Sequence, residues 1–170
     1  MPYTDLLRTT VFLSGAEATA LGAITALAAG RDGDTTAAIV AAAWWTIALV
    51  LGLWLGRPAR AADGVRDALA RARTATALPD DSPSRVAAAR LWPIGLTALI
   101  AGVLGAIYPG VAAIGAGYAL LVSLAMRTRE AAVLGIEHRD GVKFYVVPNS
   151  ALRPIELVRT PGLRSDRLRP

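Results

Sequence analysis

The chain contains no cysteine and a single histidine, His138. Without thiols there can be no disulfide, thiolate metal site or redox pair, and one imidazole cannot build a histidine-based metal site. The loops and elbows that announce chemistry are also missing: there is no Walker loop, no GxGxxG, no Gly-x-Ser-x-Gly, and no pair of carboxylates placed to face one cavity. Asp80-Asp81, followed by Ser-Pro-Ser, has the composition of a turn and a helix cap rather than of a metal site. No metal, no cofactor, no catalytic residue and no enzymatic activity are therefore expected.

What the chain has in excess is apolar surface. Of its 170 residues 54% are hydrophobic and the mean hydropathy is +0.45, too apolar for an ordinary soluble domain of this size. A helix that crosses a bilayer needs roughly 20 apolar residues, or about 17 at the short end. Such stretches fall at about 10–29, 37–56, 91–108 and 111–126, the last two short and meeting at Pro109-Gly110 as one tight hairpin. The predicted fold class is an all-α integral membrane protein. Residues 1–129 form a transmembrane domain of four helices in two hairpins, joined by a cytoplasmic helical loop over 57–90, and residues 130–170 form a small β-rich tail. "ALAAG" at 26–30 has the small residues of a signal-peptide cleavage site, but the stretch before it is interrupted by Glu17 and is long enough to span.

The distribution of charge sets the orientation. The net charge is +5 and the pI about 10.4. Arg8 precedes the first span and Arg31 separates the first from the second. Arg57, Arg60, Arg66, Arg71, Arg73, Arg85 and Arg90 lie between the second and third, none lies between the third and fourth, and the tail from Arg127 is strongly basic. With both termini and the middle loop in the cytoplasm, only Arg31 is left outside, as the positive-inside rule prefers in a cytoplasmic membrane. Arg57, Arg60, Arg90, Arg127 and Arg129, at the span ends, are expected to meet anionic lipid headgroups at about 1 kcal/mol each. No aromatic pattern accompanies the arginines, so nucleic acid is not an expected partner.

Small residues recur every four positions as Ser14, Ala18, Gly22, Ala26 and Gly30, with shorter ridges at Ala48-Gly52-Gly56, Ala98-Gly102-Ala106 and Gly115-Ala119-Ser123. Such ridges let membrane helices approach closely. Ser14, Ala18, Gly22, Ala26, Gly102 and Gly115 are the expected helix-packing positions, and a homo-oligomer or a membrane complex is expected as well. Trp54, Trp92 and Tyr108 flank the spans as an aromatic belt. Trp44 and Trp45 lie mid-span, where they either fill gaps beside the small ridges or give their indole N–H groups a polar partner.

In the middle loop, Asp67 and Arg71 at i,i+4 extend a helix to about Leu78, and its apolar face of Val65, Leu69 and Ala72 is thin enough to be solvated. Ser82-Pro83 then has the form of an N-cap followed by proline at the first helical position, opening a helix that runs into the third span and kinks at Pro93. "VLGIEHRDGVKFYVV" is expected to form two strands around Asp140-Gly141, and "IELV" at 155–158 a third. On such a hairpin Glu137 and His138 point to opposite faces and His138 is a surface residue. The tail is too small for a core of its own and should pack on the bundle or on a partner, where an open edge would offer strand addition. Its final residues are expected to be disordered.

One residue invites a mechanism. Glu17, within "LSGAEATALG", lies roughly 10 Å inside the first span at 1.5 Å per residue, with Thr10 and Ser14 leading to it from the cytoplasmic side. A charge in mid-bilayer costs on the order of 2.5–3.5 kcal/mol even on the lenient insertion scale, so such residues face the bundle interior or a wet cavity. No cationic residue lies in another span to pair with it, leaving Thr46, Thr97, Ser123 or the two tryptophans as neighbours across the bundle. The expected function is a non-enzymatic accessory or scaffold subunit that presents its basic loop and tail to a cytoplasmic partner. The alternative is an oligomeric, proton-coupled small-molecule exporter or ion pathway using Glu17, Ser14, Thr10, Trp44 and Trp45.

Overall fold

The computed structural model describes residues 1–57, 65, 66, 69, 70, 72–74 and 82–161. The expectations for Arg60, the Asp67/Arg71 pair, Leu78, Asp80-Asp81 and the final residues fall outside them. The order of elements is α1 (Tyr3–Asp32), α2 (Thr35–Leu55), β1 (Arg73–Thr74), α3 (Pro83–Ile107), α4 (Pro109–Asp140), β2 (Val142–Val146) and β3 (Leu157–Pro161). The protein is mostly helical, and all four of these helices are long and apolar enough to cross a membrane.

The connections follow turn chemistry. α1 ends on Gly33 in the left-handed region (φ 61°), which lacks the Cβ that would clash there. The Asp34 side chain accepts a hydrogen bond from the Ala37 N–H and caps α2. Ser82 does precede Pro83 at the start of α3, but its hydroxyl makes no cap hydrogen bond. α3 carries Pro93 in its interior without ending there. Pro109 is not a loop residue: it opens α4 immediately after Tyr108, a position where its missing N–H costs nothing.

α4 is the hub of the bundle, packed most extensively on α1, then on α2 and α3, whereas the consecutive helices α1 and α2 share little contact. Glycines set the close approaches. A Cβ on Gly105 of α3 would stand 2.6 Å from the Ala112 Cβ of α4, and one on Gly56 of α2 would stand 2.6 Å from the Thr128 hydroxyl of α4.

The largest buried cluster lies at the end of the bundle that holds the N-terminus, not midway along the helices. It joins Met1, Tyr3, Leu6 and Leu7 of the N-terminal turns to Val65, Leu69, Val86, Leu91, Val133, Val142, Phe144, Val146 and Leu157. Val65 and Leu69, expected to face solvent, are 3% and 8% exposed within it. They are not a thin solvated face, because the tail supplies the apolar partners that a local pattern does not reveal.

The tail itself departs from the expected hairpin. Residues 130–140 continue α4 as its last turns, and Gly141 (φ 62°) is its left-handed C-cap rather than part of a two-residue strand turn. Arg129, Glu130, Ala131, Ala132 and Leu134 are strong helix formers, and propagation of the helix already formed in the bundle outweighs both the weaker formers after them and the Asp-Gly hairpin signal. The sheet has the order β1-β3-β2, with β3 parallel to β1 and antiparallel to β2. The strand expected at 155–158 is β3, displaced to Leu157–Pro161.

Candidate functional site

The polar residues of α1 do not converge on Glu17. Thr10 and Ser14 are buried, but the Thr10 hydroxyl donates to the Leu6 carbonyl (2.8 Å) and the Ser14 hydroxyl to the Thr10 carbonyl (2.7 Å), within their own helix. Glu17 is half-buried, and none of the hydrogen bonds or ion pairs among the described residues includes it. The hydroxyls that could have faced it are engaged with backbone: Thr46 donates to Ala42 O, Thr97 to Ile94 O and Ser123 to Val11 O.

Trp44 and Trp45 are committed to α4. The Trp45 Nε1 donates to the Ala113 carbonyl (2.9 Å) and the Trp44 Nε1 to the Ile114 carbonyl (3.3 Å). Trp44 also meets Tyr118 edge to face at 5.5 Å. Gly117 makes room for this ring: a Cβ there would fall 2.7 Å from Trp44 Cδ1. Trp45 lies over Gly22 of α1, its Cη2 3.7 Å from where a Cβ would be. The two indoles therefore bind α2 to α4, and neither N–H is given to Glu17.

The ridges divide in the same way. Gly22 and Gly115 do receive a neighbour, Gly115 lying against Leu21 and Ala101. Ala18 is half-buried, Ala26 is exposed, and a Cβ placed on Gly30 or Gly102 would meet nothing within 4 Å. A repeat of four precesses about 40° per step around a helix of 3.6 residues per turn, so it cannot hold one face for long. The buried stripe of α1 instead runs through Leu7, Thr10, Ser14, Leu21 and Thr25.

At the end of the bundle away from the N-terminus, a cavity of about 260 Å³ is lined by Thr25, Ala28, Ala29, Asp32, Asp34 and Ala113 among others. Neither Glu17 nor either tryptophan reaches it. Among the described residues no group of acids and histidine is arranged to hold a metal ion.

The cap around the buried cluster is where polar side chains are most precisely used. Arg90, expected on lipid headgroups, instead donates from Nη1 to the Arg153 carbonyl (2.8 Å) and from Nη2 to the Pro154 carbonyl (3.1 Å) and the Asn149 side-chain oxygen. Its Nε is buried without a partner. Arg57, Arg127 and Arg129 are exposed. Arg8 of α1 pairs with Glu130 of α4 at 3.0 Å.

Glu137 closes the sheet. Its Oε1 accepts the Phe144 N–H (3.1 Å), and the Met1 carbonyl accepts the Val146 N–H (3.0 Å), so these outward N–H groups of β2 are already satisfied. The expected open edge is thus shut along β2. Burial raises the Glu137 carboxyl above its ordinary value, against the opposing pull of the Phe144 N–H, Lys143 and His138 and with Asp5 adding to the rise. His138 is exposed, as expected of a surface residue. Neither the role of Glu137 nor the acceptors of Arg90 follow from sequence pattern; helix propensity through residues 130–140 was the available signal for the first, and none existed for the second.

These elements make up a helical protein with four membrane-length helices and a compact cap. No family model matches the chain, and neither a curated protein nor a solved structure matches it.

Proposed function

We propose that the chain is a multi-pass protein of the cytoplasmic membrane, N-in and C-in, without enzymatic activity of its own, which serves as an accessory or scaffold subunit. The supporting observation is that the largest buried cluster ties the N-terminal turns, the middle segment, the feet of α3 and α4 and the tail strands into one cap. That cap carries exposed Arg73, Arg85, Lys143 and Arg159. A preformed basic platform held by membrane helices suits an acidic cytoplasmic protein partner, through charge complementarity that speeds and orients docking. In a mild-detergent purification the full chain should retain such a partner, and the combined charge reversal Arg73→Glu, Lys143→Glu and Arg159→Glu should release it while the protein still inserts. Recovery of no partner by the native chain, or undiminished recovery by the reversed one, contradicts the proposal.

A second reading rests on Glu17, a carboxyl in a membrane-length helix with no hydrogen bond or ion pair among the described residues. Intramembrane acids mark proton or substrate pathways by default. In that case an oligomer supplies the missing neighbour, and Glu17→Gln abolishes proton-driven flux of a cationic substrate in proteoliposomes. Unchanged flux with unchanged assembly removes this reading.

A further inference from the structure

We infer that the turn Ser150–Arg153 is a lipid anchor, a fixed knuckle that inserts Leu152 into the anionic leaflet facing the cap. The inference rests on the membrane-spanning reading above. Three hydrogen bonds shape the knuckle: Arg153 N to Ser150 O (3.0 Å), Leu152 N to the Ser150 hydroxyl (3.4 Å) and Asn149 Nδ2 to Pro154 O (3.1 Å). Leu152 occupies the third position of the turn and is 84% exposed, more than any other large apolar side chain among the described residues. Ile155 beside it is 42% exposed. The turn thus presents Leu152 as an exposed apolar tip on a hydrogen-bonded backbone, a form that a bilayer interface can receive.

Arg90 sets the depth. It stands on α3 immediately before Leu91, where the third span begins, and Trp92, an aromatic suited to the interface, is 47% exposed two residues on. Because the Arg90 fork grips the carbonyls of Arg153 and Pro154, the knuckle can lie no farther from the bilayer boundary than one arginine side chain reaches. Arg153, next to Leu152 in the chain, and Arg85, five residues before Arg90 on α3, are both exposed, with the exposed Glu156 as the acid near Arg90, so basic residues predominate on this flank. Apolar tip and cationic flank together match a leaflet with anionic headgroups. Arg90 thus serves as a positioning residue that fixes the tail to the membrane surface, not as a headgroup ligand.

The absence of cysteine makes the test clean. Leu152→Cys and, separately, Leu99→Cys, each carrying a polarity-sensitive fluorophore, are reconstituted as full chains in vesicles containing phosphatidylglycerol. The label at position 152 should emit blue-shifted light, be quenched by lipids spin-labelled near the headgroup, and be several-fold less accessible to aqueous iodide than a label placed by Arg139→Cys on the exposed end of α4. A label at 152 as accessible to iodide as that at 139, with the label at 99 protected, overturns the anchor and leaves the spanning reading intact. Iodide access at position 99 as well overturns both.

Discussion

At the residue scale, the cap is governed by groups whose partners are backbone atoms. The Glu137 carboxyl is carried on the last turns of α4, beyond the expected span, and closes the outer edge of β2 through the Phe144 N–H. Since burial raises its pKa in the folded state, the native protein binds the proton more tightly than the unfolded chain. Its contribution is favourable at low pH and is lost as pH rises from the unfolded carboxyl value through the higher folded one. Glu137→Gln keeps an oxygen acceptor and never ionises. Its melting temperature in detergent should exceed that of the native chain at pH 8, and the two should converge near pH 4. A variant less stable at pH 8 would show instead that the charged form's hydrogen bond outweighs its desolvation.

At the scale of elements, which glycine faces which neighbour decides how the helices associate. Gly117 gives the Trp44 ring its place, and a Cβ there would overlap Cδ1 at 2.7 Å and Cε2 at 2.8 Å. Gly117→Ala must displace the indole that holds α2 to α4, and overpacking of this kind costs typically about 1–3 kcal/mol. Gly102→Ala, on a ridge of the same sequence form but with open space beyond it, should be neutral within roughly 0.5 kcal/mol. Parallel thermal melts of the two variants in the same detergent check the contrast. The four membrane-length helices were legible because continuous apolar runs need no tertiary information, and the turn at Gly33-Asp34 because its residues satisfy local backbone demands. The packing ridges were only partly legible: Ala48, Gly52 and Gly115 meet neighbours, while Ala26 and Gly102 do not. A repeat of small residues states that a helix can be approached, not from which side.

At the scale of the whole molecule, the tail and the bundle are one unit at the cap. Tyr3, Leu6 and Leu7 share one buried cluster with Val142, Phe144, Val146 and Leu157, and Pro2 bridges to Tyr145 across the edge of β2. Truncation after Arg129 therefore removes the partners of the first turns of α1 as well as the strands. The shortened chain should insert but melt without a sharp transition and aggregate on size exclusion. A sharp, native-like melt after truncation at Arg129 would mean that the cap is a passive appendage.

Composition and short-range pattern are enough to specify the four apolar helices, the tight connections at Gly33-Asp34 and Tyr108-Pro109, and the basic bias of the middle loop and the tail, since each depends on residues at most a few positions apart. They also single out Glu17, because an acid in an apolar run is conspicuous without any structure. Packing in three dimensions was needed to learn that Glu17 has no partner among the described residues, that Trp44 and Trp45 spend their N–H groups on the carbonyls of α4, and that Arg90 grips the tail. It likewise turned residues 130–140 from strand to helix and closed β2 with Glu137. These outcomes turn on which groups meet across distant parts of the chain, or on whether a helix already nucleated in the bundle keeps propagating, and neither is written in local pattern.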